Sequence, residues 1–106
     1  MHLYLKLNGT LAEAADLIAS AALPTYERQL RDGLNLGGGD YFKFSDATSE
    51  VLLVCNDSEH MEVFVEERAN FPFYCYVWRG DKGKLGAMLA SLQGAGIECE
   101  IGDEDD

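Results

Sequence analysis

Val51-Leu52-Leu53-Val54-Cys55 is an apolar run without a single polar break. A strand with one face in water alternates apolar and polar residues. An unbroken run of this length therefore belongs to a strand covered on both faces, set centrally in a sheet. The rest of the chain has to supply neighbours and cover for it.

The flanking segments read as those neighbours. Leu3, Leu5 and Leu7 alternate with Tyr4 and Lys6, a strand with one apolar face, and Asn8-Gly9 turns the chain. Thr10 followed by Glu13 is a capping box, in which hydroxyl and carboxylate satisfy orphan amides of a first helical turn. Leu11, Ala14, Ala15, Ile18 and Ala22 follow at helical spacing until Pro24. Residues 25–32 read as a short helical turn with Tyr26 and Leu30 facing inward, and Gly33 to Asp40 as a flexible connection. Tyr41 to Phe44 opens a second strand, and Asp46 to Ser49 is a turn. Residues 61–67 alternate as a strand does, while their acids also suit the opening of a helix. Asp81 is placed to cap a second helix carrying Leu85, Met88, Leu89 and Leu92, which Gly94-Ala95-Gly96 ends. Ile97, Cys99 and Ile101 form a last strand, and residues 103–106 an acidic, mobile tail.

This order predicts an α+β fold: a two-layer α/β sandwich with a mostly antiparallel, four- to five-stranded sheet and two helices in one domain, residues 1–102. The stretch from Leu89 to Ile101 resembles the closing helix-Gly-strand of ferredoxin-like folds, including small-molecule-sensing ACT domains.

Charge narrows the function. The chain has 106 residues and a net charge of -11, from 19 Asp plus Glu against 8 Lys plus Arg. Direct nucleic-acid binding needs a cationic surface, and an anionic membrane repels such a chain. No apolar run approaches a membrane span and no secretory leader is visible, which predicts a cytoplasmic protein. Cys55, Cys75 and Cys99 are odd in number without CxxC spacing, and each sits among apolar residues, as reduced core thiols do. The acids are unevenly spread: residues 46–67 hold seven and residues 98–106 hold six, neither stretch with a base. Were the last strand to pair near residues 61–67, these carboxylates would converge into one negative field, which steers basic partners.

Phe71-Pro72-Phe73-Tyr74-Cys75-Tyr76-Val77-Trp78 is the strongest strand signal. Alternation assigns Phe71, Phe73, Cys75 and Val77 to the core and Tyr74, Tyr76 and Trp78 to the other face. That second face is either covered, with the 25–40 loop as its roof, or is a ladder of interface anchors. Arg79 either stacks on Trp78 or pairs with an acid.

Catalytic signals are poor. Asp57, Glu59 and His60 lack a second His or Cys at ligand spacing, so no metal is expected. Gly37-Gly38-Gly39-Asp40 lacks the Lys-Ser/Thr of a phosphate loop, and no Ser-His-Asp or Cys-His order stands out. No cofactor and no catalysis are predicted.

Small, acidic and aromatic, the chain resembles in general character the immunity proteins that neutralise toxins in bacterial competition systems, and phage-encoded inhibitors of nucleic-acid-binding complexes. The resemblance implies a basic protein partner, such as a toxin or nuclease, whose site the chain occludes as a monomer or a homodimer. The expected contact surface is Glu62, Glu66, Glu67, Tyr74, Tyr76, Trp78, Arg79, Glu98 and Glu100. A small-ligand-sensing or dimerisation module of ACT-like architecture is the alternative, with ligand turns at Asn8-Gly9 and Gly80-Gly83.

Overall fold

The structure, a computed structural model, describes residues 2–33, 39–56 and 70–102. Eight elements follow in chain order: β1 (His2–Lys6), α1 (Leu11–Ala21), β2 (Glu27–Gly33), β3 (Gly39–Ser45), β4 (Glu50–Cys55), β5 (Phe73–Arg79), α2 (Lys84–Gly94) and β6 (Glu98–Gly102). The strands form one sheet in the order β2-β3-β4-β5-β1-β6, and each neighbouring pair is antiparallel. The fold is α+β, with two helices and six strands.

The apolar run becomes β4 and lies inside the sheet, between β3 and β5. Val51, Leu52, Leu53 and Val54 are all buried. On one face Leu3, Leu5, Phe44, Val51, Leu53, Phe73 and Cys75 pack with Ala14, Ala15 and Ile18 of α1 and Leu85, Met88 and Leu92 of α2. Small alanines let α1 lie close to the sheet. Its start is the expected capping box: Thr10 Oγ1 accepts from the Glu13 amide at 3.1 Å, and Glu13 Oε1 from the Thr10 amide at 2.9 Å. Beyond α2, Gly96 adopts φ +84°, the left-handed turn that stops a helix.

The face away from the helices holds a second core. Tyr4, Val54, Phe71 and Tyr74 are buried there, with Tyr41 and Tyr76 packed against them. Register explains the group, because Tyr4 stands opposite Tyr74 and Tyr74 opposite Val54, which stands opposite Tyr41. Cross-strand neighbours on one face sit about 5 Å apart, so the rings fill one another's gaps.

Four expectations need correction. The sheet has six strands rather than four or five. The added one is β2, where a helical turn was expected over 25–32. Residues 27–33 pair one-for-one with residues 45–39 of β3, and this ladder overrides the helix-compatible composition Glu-Arg-Gln-Leu-Arg. Leu30 consequently points outward and is 60% exposed, while Tyr26 is half-buried. Phe71 precedes β5 and joins the second core, not the helix side, because Pro72 interrupts the alternation before the strand starts. Finally, α2 opens at Lys84 after Gly83, and Asp81 instead accepts the Gly83 amide on its Oδ1 at 2.8 Å, one turn early. Residues 61–67 lie outside the described residues.

The second core makes a checkable statement about stability. Tyr74→Ala is expected to destabilise the protein by about 3–5 kcal/mol, as removal of a buried ring does. An exposed tyrosine would cost roughly 0.5 kcal/mol or less. Urea unfolding of the two proteins separates these outcomes.

Candidate functional site

Of the aromatic ladder expected on the second face, the structure leaves only its end in solvent. Tyr74 is 2% exposed, so it is a core residue and not an accessible anchor. Its ring lies 5.8 Å from that of Tyr4 and 4.7 Å from that of His2. His2 Nδ1 stands 3.1 Å from the Tyr4 hydroxyl. Tyr76 is half-buried at 6.2 Å from Tyr74, and burial, helped by nearby Tyr41, raises its hydroxyl pKa. Strand pairing on both sides of β5 encloses these rings; alternation along a single strand cannot reveal that enclosure.

Trp78 is different. Val51 pairs with Val77, but the next pair is Glu50 with Arg79, so Trp78 is the extra residue of a β-bulge. A bulge re-aims its side chain, and Trp78 is 67% exposed. Arg79 does pair with an acid. Its Nε lies 3.3 Å from Glu50 Oε1, and Lys43 Nζ lies 3.1 Å from Glu50 Oε2. Lys43 first, and Arg79 with it, hold the Glu50 carboxyl below its usual pKa.

Two turns brace this end of the sheet. Gly80 has φ +114°, and a Cβ there would come within 2.6 Å of the Ser49 Cβ, so only glycine fits between the 80–83 and 46–49 turns. Asp46 organises the second turn. Its Oδ1 accepts from the amides of Thr48 at 2.9 Å and Ser49 at 2.8 Å, and from both hydroxyls. The Thr48 amide leads in lowering the Asp46 pKa to about 2. Tyr26 and Ser49 share a hydroxyl bond of 2.6 Å. Tyr26, Asp46, Thr48, Ser49, Asp81 and Lys84 line a surface cleft of about 420 Å3 between the turns. Sequence reading did not find this cleft, because three separate turns build it; its one local signal was the Asp46–Ser49 turn.

The remaining expected contacts are dispersed. Glu98 is exposed and lies 3.4 Å from Lys6, its register partner, at the end of the sheet away from Trp78. Glu100 is half-buried opposite Tyr4. The last strand pairs with β1. Glu62, Glu66 and Glu67 lie outside the described residues, as do Asp57, Glu59 and His60. The described residues carry ten acids and seven bases, a net of -3. Residues 57–69 and 103–106 add nine acids and one base, so most of the excess charge belongs to those two segments. Residue 102, which precedes the second, stands in register with His2, toward the Trp78 end of the sheet.

Nucleophilic chemistry finds no support in the thiols. None of the three is in a disulfide; Cys75 and Cys99 are buried, and desolvation pushes both pKa values up, which keeps them protonated. Among the described residues no cluster of His, Cys, Asp and Glu is arranged to hold a metal ion, and no helix is long and apolar enough to cross a membrane.

Comparison with protein-family models, curated proteins and solved structures gave no match to the chain.

The Asp46 turn predicts an acid transition. A carboxyl whose pKa falls from 3.8 to about 2 on folding stabilises the native state fully above 3.8 and loses that contribution as pH drops toward 2. Glu50 shifts in the same direction. Unfolding midpoints should therefore fall with pH in that window, and Asp46→Ala should flatten the slope. Thiol titration gives a second check: in native protein Cys75 and Cys99 should stay unlabelled by a thiol reagent and should react on unfolding.

Proposed function

We propose that this chain is an acidic protein-binding inhibitor that occludes the functional site of a basic macromolecular partner, a bacterial toxin or nuclease being the kind of partner that fits. The exposed tryptophan carries the proposal. A two-thirds exposed Trp on a bulged strand end is unusual on a sheet whose other aromatics are packed away, and tryptophan is the strongest single-residue anchor of protein interfaces. The turn that follows β5 carries Asp81, which shares a cleft with Asp46, and the chain continues into the acidic residues 103–106 from residue 102, in register with His2. A partner that cuts or binds nucleic acid presents a cationic groove, and carboxylates can occupy its phosphate positions. The contact surface proposed is now centred on Trp78 and Arg79, with Tyr76 at its margin and Glu62, Glu66, Glu67, Glu98 and Glu100 contributing to the steering field. Three cysteines without a disulfide agree with a cytoplasmic setting.

One observation favours a second reading. The strand order β6-β1-β5-β4, with helices after β1 and after β5, agrees with a ferredoxin-like core to which the β2–β3 hairpin adds two strands. The cleft beside the Gly80–Gly83 turn falls where an ACT-like module would take a small ligand.

Affinity capture with the full chain, followed by binding kinetics on the protein recovered, tests the first reading. Trp78→Ala is expected to weaken binding by about 2 kcal/mol or more. The association rate of the unmodified chain should fall steeply as salt rises. Unchanged affinity for Trp78→Ala, with a salt-independent rate, would reject the inhibitor; a melting shift on adding amino acids would favour the second reading.

A further inference from the structure

The two rims of the sheet are built differently. β6 is five residues long and carries Glu98 and Glu100 on one face, so a second β6 laid against it meets like charge. β2 carries charges of both signs, Glu27, Arg28, Arg31 and Asp32, but lacks the other protections. It runs seven residues, pairs with β3 through seven consecutive positions without a bulge, and contains no proline. Among the described residues nothing pairs with its outer side. At its midpoint stands Leu30, 60% exposed.

The sequence of this strand complements itself. Two antiparallel copies related by a two-fold axis perpendicular to the sheet keep helix side on helix side, so each residue meets one of equal parity. With the axis through Leu30, all seven positions overlap. Leu30 then meets Leu30, Arg28 meets Asp32, Gln29 meets Arg31, and Glu27 meets Gly33, without one like-charge pair. Moving the axis to Arg28 or to Arg31 sets arginine against arginine. Moving it to Gln29 shortens the overlap and sets Leu30 against Arg28. Arg28 already reaches Asp16 Oδ1 at 2.6 Å on the helix side.

We propose that the outer edge of β2 binds a second copy of this chain, joining two six-stranded sheets into one continuous antiparallel sheet with the two-fold axis at Leu30. The outward leucine thereby buries itself against its twin, and the open row of backbone donors and acceptors is paired. The bulge at Trp78 lies three strands away across the sheet and stays free, so the dimer would be bivalent.

Sedimentation equilibrium of the full chain over a range of concentrations tests this. A monomer–dimer equilibrium is expected, and Leu30→Lys should raise its dissociation constant by roughly tenfold or more. Arg28→Asp should also weaken the dimer, and Arg28→Asp combined with Asp32→Arg should restore it. Both variants lose the Asp16 pair, so they differ only at position 32. Trp78→Ala should leave the dimer unchanged. Circular dichroism confirms that each variant is folded. A chain that stays monomeric throughout, a dimer indifferent to Leu30→Lys, or a failed rescue by the charge swap would overturn the proposal.

Discussion

A strand with apolar side chains on both faces can exist only where both faces of its sheet are shut off from water. β4 imposes that condition, and its neighbours are arranged to meet it. Leu3, Leu5, Phe73 and Cys75 extend the helix-side core across β1 and β5. Tyr4 and Tyr74 do the same on the other face, where rings rather than helices fill the space beside Val54. Each buried ring pair contributes beyond its area, so this aromatic layer is a substantial share of the fold's stability. The same condition decides which aromatic stays in solvent. Rings that stand in register with β1 and β4 are consumed by the core. Trp78 escapes because the bulge lifts it out of register just where β5 leaves its neighbours.

Period-two patterns and turn chemistry made most of the frame legible before any coordinates. The capping box at Thr10 and Glu13, the central position of β4, the turn at Asp46 and the helix stop at Gly96 all rest on local rules, and local rules were sufficient for them. β2 was illegible for the opposite reason. An edge strand exposed on most sides shows no apolar alternation, and Glu27 to Gly33 is a strand only because β3 lies beside it. The same limit hid the burial of Tyr74. Alternation shows that two faces differ but not whether the second is wet, and an aromatic-rich face serves equally as anchor or as core. The 420 Å3 cleft was out of reach because its walls come from turns far apart in the chain.

Charge and packing are divided between different parts of the chain. The described frame is close to neutral, and its ion pairs are local: Glu50 with Lys43 and Arg79, Asp16 with Arg28, Glu98 with Lys6. The exposed pairs among them, Asp16 with Arg28 and Glu98 with Lys6, add little to stability. The large surplus of acids falls in residues 57–69 and 103–106 of the sequence. The inhibitor proposed above would meet its partner through long-range attraction and hold it through a fixed aromatic group.

Trp78 is the chain's single tryptophan, so the central claim, that it stays in solvent, and the proposal that a negative field surrounds it are both open to a direct optical measurement. Its fluorescence should have the emission of a water-exposed indole, and its ratio of caesium to iodide quenching should exceed that of free N-acetyltryptophanamide at low salt, the excess shrinking as salt is added. A blue-shifted emission protected from both ions would contradict the exposure, and a caesium-to-iodide ratio equal to that of free N-acetyltryptophanamide would contradict the negative field.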